Sequence, residues 1–300
     1  MGTRFLESLS CQFEIFLWLD AALSQNHLRA QPLTLTNLTQ MNLDKSLAFY
    51  KDRFADASDT VGLRFRGAVI QGPQEQPFFR DTSEPSSVVG VHFQAGGAAA
   101  LLGVPITELA GRTFALDALW GARADALRDE LRSLPDAPSR LLCLEGFLLE
   151  RLAHARPSDD DAAIAWALQQ FHERARCHGR DASVESVRAA LGWSPRRFIA
   201  QFSMRVGLTP KRYGRLQRFQ STVHALAQGR DEGWAQFAVD VGYADQAHLI
   251  REFRAFSGLT PGRYRAIASD QANHVAVTPE KIFNTRPLRV ATLGAPTARR

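Results

Sequence analysis

Two segments of the chain carry arginines beside an apolar stripe at helical spacing. In the first segment Arg196 and Arg197 precede a phenylalanine stripe, and in the second Arg251 and Arg254 flank another. A helix with this pattern buries its apolar stripe and turns a basic face to solvent. Guanidinium groups pair with phosphates and with the edge of guanine, so the chemistry these residues predict is recognition of DNA.

A sequence motif that occurs twice closes both segments. The motif is a phenylalanine, four residues of any type, Gly-Leu-Thr-Pro, one residue of any type, and Arg-Tyr. It occurs at residues 202–213 and again at residues 253–264, an offset of 51 residues. Upstream of each copy Gly192 or Gly242 precedes an aromatic residue. Glycine permits the positive φ of a sharp turn between helices, and Thr-Pro suits the N-cap and first position of the next helix. The pattern therefore predicts two helix-turn-helix units, at about residues 183–207 and 233–258.

The positive charge of the chain is concentrated in the same region. Between Ser183 and Ala268 there are 13 Lys and Arg residues and 6 Asp and Glu residues, a net charge of +7, whereas the other residues together carry −2. The whole chain carries +5. A basic segment of this kind is typical of proteins that bind nucleic-acid phosphates.

Residues 183–265 resemble the AraC/XylS family of bacterial transcription regulators, above all in the stretch GYADQAHLIREFRAFSGLTPGRYR at residues 242–265. The resemblance implies a mainly α fold whose C-terminal, all-α domain has two helix-turn-helix subdomains joined by a long helix, about residues 210–228. It also implies a sequence-specific transcriptional regulator whose two recognition helices enter successive major-groove segments. Its partners would be double-stranded DNA, RNA polymerase and a small-molecule effector of unknown identity.

The resemblance assigns roles to individual side chains. The base-reading positions it implies are Arg196, Ile199 and Ala200 in the first unit, and Gln246, Ala247, Ile250 and Arg251 in the second. The arginines can pair with guanine and the glutamine with adenine, whereas the apolar residues can contact only a thymine methyl group. The phosphate contacts are expected at Arg197, Lys211, Arg212, Arg254, Arg263 and Arg265. His248 is expected to pack against its own unit rather than contact a base.

One position departs from the family pattern. The residue packed beneath the turn is small in the second unit, Ala238, but is Arg188 in the first. A long arginine stem can carry its charge out to solvent, so the fold can persist. The expectation is a first unit with poorer packing and a weaker grip on DNA.

The rest of the chain predicts a second domain. Strands are expected at residues 61–70 and 87–93, followed by helices at about residues 95–103, 122–134 and 139–154. Together they make a small α+β unit, complete or incomplete. Residues 62–155 resemble the sensor region of a poorly characterised branch of the same family. The predicted division is an atypical segment 1–60, a regulatory domain 61–157, a DNA-binding domain 158–268 and a tail 269–300. SDDD at residues 158–161 is expected to begin a helix that runs to about residue 178.

The first sixty residues give two further expectations. Apolar residues between Phe5 and Leu17 follow helical spacing, which predicts a core-facing helix. Residues 41–59 resemble a short piece of pitrilysin-type zinc peptidases, and the hypothesis drawn from this is a foreign N-terminus that replaces the start of the sensor domain. Strands from this region in one sheet with residues 62–93 would contradict it.

Other classes of function remain as alternatives. A peptidase of that type needs an HxxEH motif, which the chain lacks, and a DNA-repair methyl acceptor needs clustered cysteines, whereas Cys11, Cys143 and Cys177 lie far apart. We therefore expect no enzyme, no metal and no cofactor. Widely spaced cysteines and the absence of a long apolar run favour a cytoplasmic protein outside the membrane. A partner-binding module with decayed DNA specificity stays open, and the oligomeric state is undetermined.

Overall fold

The computed structural model describes residues 4–7, 13–19, 33–34, 40–42, 53–55, 63–64, 68–73, 75, 78–81, 87–155, 158–176, 184–228, 233–267 and 274–277. The strands are β1 Arg4–Glu7, β2 Phe13–Leu19, β3 Leu33–Thr34, β4 Gln40–Asn42, β5 Arg53–Ala55, β6 Leu63–Arg64, β7 Ala68–Gln71, β8 Phe78–Asp81, β9 Ser87–Phe93, β10 Thr113–Ala115 and β11 His274–Val277. The helices are α1 Ala99–Leu102, α2 Asp117–Trp120, α3 Ala122–Ser133, α4 Ala137–Ala153, α5 Asp159–Arg176, α6 Val184–Ala190, α7 Pro195–Val206, α8 Pro210–Ala227, α9 Trp234–Asp240, α10 Gln246–Ser257 and α11 Pro261–Ile267, with a 3₁₀ helix at Ile106–Glu108.

The strands form two sheets. One has the order β10-β7-β2-β9-β4-β3, and the other the order β11-β1-β8-β5-β6. In the first sheet β2 runs antiparallel to both β7 and β9. In the second, β11 follows α11 and pairs with β1 near the N-terminus, Arg4 opposite Val277. A strand that follows the helix-turn-helix units therefore joins a sheet with strands from the N-terminal part of the chain.

The N-terminal core lies where α2 and α3 pack on the first sheet and α4 packs on α3 and α1. Val69 and Ile70 of β7 are fully buried, and α3 packs against β2 and β7. Leu127 and Leu131 point from α3 into this core, and Leu144 does so from α4. Burial of side chains of this size is the main favourable term in holding helices on a sheet.

The C-terminal core explains the repeated motif. In the first copy the rings of Phe202 and Tyr213 pack edge to face with their centroids 5.5 Å apart, and in the second the rings of Phe253 and Tyr264 do the same at 5.3 Å. The phenylalanine and tyrosine of each copy thus lock a recognition helix onto the helix that follows it. Phe171 of α5 packs against Phe202 at 5.9 Å, so α5 is part of this core.

The structure confirms the mainly α fold and most of the predicted helices. Helices α3, α4, α5 and α8 begin and end within a few residues of the predicted positions, and both helix-turn-helix units are present. The predicted strands correspond to β6 with β7 and to β9. Within the described residues, no helix combines the length and the hydrophobicity needed to cross a bilayer.

Two expectations for the N-terminus are wrong. Residues 4–7 and 13–19 form strands β1 and β2 rather than a helix, because their apolar residues fit a buried strand as well as a helix face. Strand β2 lies between β7 and β9 in one sheet, which contradicts the hypothesis of a foreign N-terminus. The sheet also crosses the predicted boundary at residue 60. The segment 41–59 that suggested a peptidase lies mostly outside the described residues.

Candidate nucleic-acid interface

Each helix-turn-helix unit turns at a glycine with a positive φ. The value is +65° at Gly192, between α6 and α7, and +86° at Gly242, between α9 and α10. After each glycine an aromatic residue donates its backbone N–H back to the first helix, Trp193 to the carbonyl of Arg188 and Tyr243 to the carbonyl of Ala238. The two turns therefore have the same construction, which fixes the angle at which each recognition helix leaves its unit.

Side chains cap the start of both recognition helices. The Ser194 hydroxyl accepts from the backbone N–H of Arg197 at 3.3 Å, and the Asp245 carboxylate accepts from that of His248 at 2.7 Å. Both helices end at a glycine in the left-handed region, Gly207 and Gly258. Caps at both ends fix which residues stand in the first two turns, where recognition helices contact bases.

The base-reading residues expected from the sequence lie on the outer faces of these helices. On α7, Arg196, Ile199 and Ala200 are exposed, and Ile199 retains 47% of its surface even though it is apolar. Phe198 next to it is fully buried, so Ile199 lies on the outer face of the helix. The structure thus brings the three predicted residues of the first unit together.

On α10 the predicted residues line an open groove of about 580 Å³. Ala247, Ile250 and Arg251 form its wall together with Arg254. Gln246 stands exposed at the start of the same helix. A groove with an apolar floor and two guanidinium groups offers both hydrogen-bond donors and a surface for thymine methyl groups.

The predicted phosphate contacts fall into two groups. Lys211, Arg254 and Arg263 are exposed. The other three are also exposed, but each has a partner within the molecule. Arg197 donates to the Asp160 carboxylate at 2.8 Å and stacks on Trp193. Arg212 pairs with Glu75 at 3.3 Å, and Arg265 stacks on Trp234. A carboxylate partner offsets the positive charge of its arginine, so Arg197 and Arg212 attract a phosphate less strongly than an unpaired arginine would.

Arg188 holds the first turn together instead of loosening it. Its guanidinium donates to the Glu185 carboxylate, with the Nε to Oε2 distance at 3.0 Å, and to the backbone carbonyl of Trp193. The hydrogen bond from Arg188 holds the pKa of Glu185 below its ordinary value. The expectation of poorer packing in the first unit is therefore wrong, because the arginine bridges α6 to the turn where the second unit has an alanine.

Two ion pairs that the sequence did not predict fix the recognition helices to their neighbours. Arg215 of α8 pairs with Glu252 of α10 through two bonds, at 2.7 and 3.0 Å. Arg205 of α7 pairs with Asp161 at the start of α5. Partial burial works to raise the pKa of each carboxyl group, but the hydrogen bonds to it outweigh burial and hold that pKa below its ordinary value. The partners lie 37 and 44 residues apart, so no local pattern could reveal them.

His248 packs within its own unit, as expected. Its Nδ1 accepts from the backbone N–H of Ala244 at 3.3 Å, and its ring meets Tyr243 edge to face with the centroids 5.3 Å apart. The imidazole thus supports the turn before α10.

The same region matches a family of known domains. A family model described as a helix-turn-helix domain matches residues 188–267, which covers α7, α8, α9 and α10 in full. The chain carries a helix-turn-helix domain of the AraC type. A second model, a domain of unknown function (DUF6597), matches residues 21–115, in the N-terminal domain.

Relatives of the AraC-type domain extend over different shares of the chain. An uncharacterised HTH-type transcriptional regulator of Haemophilus influenzae is 30% identical over 89 residues, and the match covers 30% of each protein. A transcriptional regulator of Chromobacterium violaceum with an AraC-type DNA-binding domain is 19% identical, with a TM-score of 0.31, over 35% of this chain and 89% of that one. ToxT from Vibrio cholerae is 10% identical, with a TM-score of 0.41, over 88% of this chain and 93% of that one.

Proposed function

We propose that the protein is a sequence-specific DNA-binding regulator of transcription. The observation that carries the proposal is the pair of recognition helices, each with a buried aromatic stripe and an exposed face of arginine, glutamine and small apolar residues. The AraC-type domain that contains them supports the same function. DNA-binding proteins use phosphate contacts to position themselves and base contacts to read sequence, and residues suited to each are present.

The connecting helix supports binding to one face of the duplex. Helix α8 has 18 residues, which corresponds to a length of about 27 Å at 1.5 Å per residue. Successive major-groove segments on one face of B-DNA are about 34 Å apart. Because the bidentate pair of Arg215 and Glu252 fixes α10 to α8, the second unit is held in a defined orientation along this helix. One chain can then read two half-sites.

The proposal extends to partners beyond DNA. We propose RNA polymerase and a small-molecule effector as further partners. The effector would bind the N-terminal domain, and the protein would act in the cytoplasm. DNA binding itself does not depend on either partner, so it can be tested alone.

Selection of bound fragments from random and genomic DNA with the purified full chain tests the proposal. We expect enriched fragments to share a motif with two parts about one helical turn apart, and affinity for that motif to fall steeply as salt rises. Binding without enrichment would indicate a protein that holds phosphates only. Absence of salt-dependent binding to any duplex would overturn the proposal in favour of a partner-binding module.

A further inference from the structure

The N-terminal domain is packed against the first helix-turn-helix unit at the corner between α7 and α8. The 3₁₀ helix Ile106–Glu108 contacts α7. At Gly207, where α7 ends with a φ of +83°, a Cβ would lie 2.9 Å from the Ile106 Cγ2 atom and 3.1 Å from the Pro73 Cγ atom. Any side chain at position 207 would therefore collide with the N-terminal domain. The centre of this contact, which we name the corner interface, is apolar and closely fitted.

The rim of the corner interface is an ion pair. Arg212, in the first turn of α8, places its Nη1 atom 3.3 Å from the Glu75 Oε1 atom, with 61% and 30% of the two side chains exposed. An apolar centre with a charged rim is the arrangement of a protein interface rather than of a chance surface contact.

Glu75 also faces the helix that joins the two units. The pKa of Arg215 is raised first by the hydrogen bonds that it donates to Glu252 and, to a smaller extent, by the negative charge of Glu75. One carboxylate of the N-terminal domain thus lies beside two successive arginines on the same side of α8. Helix α8 in turn carries the pair that fixes α10.

Glu75 competes with a DNA phosphate for Arg212. The guanidinium has several N–H donors but a single positive charge, which Glu75 offsets at 3.3 Å, and a fixed carboxylate next to the DNA backbone also repels that backbone. We propose that the N-terminal domain lowers the affinity of the first unit for DNA by holding Arg212 with Glu75 at the corner interface. This inference rests on the proposed DNA binding, and it assigns a regulatory role to a contact between the domains.

The size of the effect follows from the exposure of the pair. Exposed ion pairs change an equilibrium by up to about fivefold. Releasing Arg212 to a phosphate adds one contact, which steepens the slope of log affinity against log salt by about 0.9. Because a phosphate contact carries no sequence information, the gain should be equal on cognate and scrambled duplexes.

A double-mutant cycle on the full chain tests the proposal. Wild type, Glu75→Gln, Arg212→Gln and the double variant are titrated with labelled duplex by fluorescence anisotropy at several salt concentrations. We expect Glu75→Gln to tighten binding by about two- to fivefold, Arg212→Gln to weaken it, and Glu75→Gln to have no effect in the Arg212→Gln background. The control is Asp125→Asn, which removes one exposed carboxylate from α3 in the same domain.

The outcomes separate this inference from the proposed function. If wild type shows no salt-dependent binding to DNA, the proposed function fails and the inference fails with it. If wild type binds but Glu75→Gln does not tighten binding, only the inference fails. A gain that persists without Arg212, or an equal gain from Asp125→Asn, would show an effect of net charge and would also overturn it.

Discussion

Arg251 stands on the exposed face of α10, in the wall of the groove that also contains Ala247 and Ile250. A guanidinium in this position can donate two hydrogen bonds to one guanine. We predict that Arg251→Ala weakens specific binding by about 1–3 kcal/mol and relaxes the preference at one base pair. The measurement compares the affinity for the selected duplex with that for a scrambled one.

The matched control for this prediction is Arg263→Ala. Arg263 is exposed on α11, away from the groove, and is expected at a phosphate. Its removal should weaken binding to both duplexes alike and reduce the salt slope by about one. If Arg251→Ala also weakened both duplexes equally, Arg251 would be a phosphate contact and not a reader.

Arg188 provides a test of stability at the scale of one side chain. Because its guanidinium joins Glu185 to the carbonyl of Trp193, its removal leaves that carbonyl without this donor and the turn less constrained. We predict that Arg188→Ala lowers the Tm of the full chain, whereas Arg196→Ala, on the exposed face of α7, leaves it nearly unchanged. A scan of near-ultraviolet circular dichroism against temperature would detect both, and equal Tm values for the two variants would contradict the role given to Arg188.

The elements of the C-terminal half could be predicted from the sequence because their signals are local. Thr209 with Pro210 starts α8, Gly207 ends α7, and the phenylalanine stripes set the buried faces. The N-terminal strands could not be predicted in the same way. Apolar residues between Phe5 and Leu17 fit a strand or a helix, and one of the two partners of β1 is β11, about 270 residues away along the chain. The ion pairs between helices could not be predicted either, because their partners lie far apart along the chain.

Helix α8 contains a glycine that packing does not require. A Cβ at Gly214 would meet no atom within 4 Å, and the residue lies well inside the helix. Glycine in a helix interior is less favourable than alanine by about 0.5–1 kcal/mol because the unfolded chain loses more freedom. We predict that Gly214→Ala raises the free energy of unfolding by that amount, measured by urea denaturation.

The control for Gly214→Ala is the same substitution at a glycine with a positive φ, which an alanine adopts only with strain. Gly242 has a φ of +86° in the turn before α10, so Gly242→Ala should lower the free energy of unfolding. A destabilised Gly214→Ala variant would show that α8 bends at this position in solution.

At the scale of the whole molecule, the aromatic core places α5 with the DNA-binding domain. Buried apolar side chains between Ile164 and Tyr264 form one cluster, to which both units and the connecting helix contribute. We predict that a fragment of residues 156–278 folds and binds DNA without the N-terminal domain. Circular dichroism and a mobility-shift assay on this fragment make the test. An unfolded fragment would show that contacts with the N-terminal part of the chain are needed for folding, and would contradict the division into two domains.

The two units are expected to contribute unequally to specificity. The second unit offers Gln246 and Arg251 as polar readers, whereas the first offers Arg196 beside Ile199 and Ala200. A wrong base leaves a polar reader unpaired, which costs more than the loss of a methyl contact.

The first unit is also expected to bind phosphates less strongly. Two of its expected phosphate contacts, Arg197 and Arg212, are paired with Asp160 and Glu75. We therefore predict that mismatches opposite residues 245–254 cost about 1–3 kcal/mol each, and that mismatches opposite the first unit cost clearly less. A scan of single base substitutions across the selected site, at one fixed salt concentration, measures both half-sites in the same series. Arg188 hydrogen-bonds across the turn of the first unit, so the predicted asymmetry rests on the reading residues and not on poor packing. Equal penalties in the two half-sites would mean that Ile199 and Ala200 discriminate bases as strongly as the polar readers do, and the predicted asymmetry would be wrong.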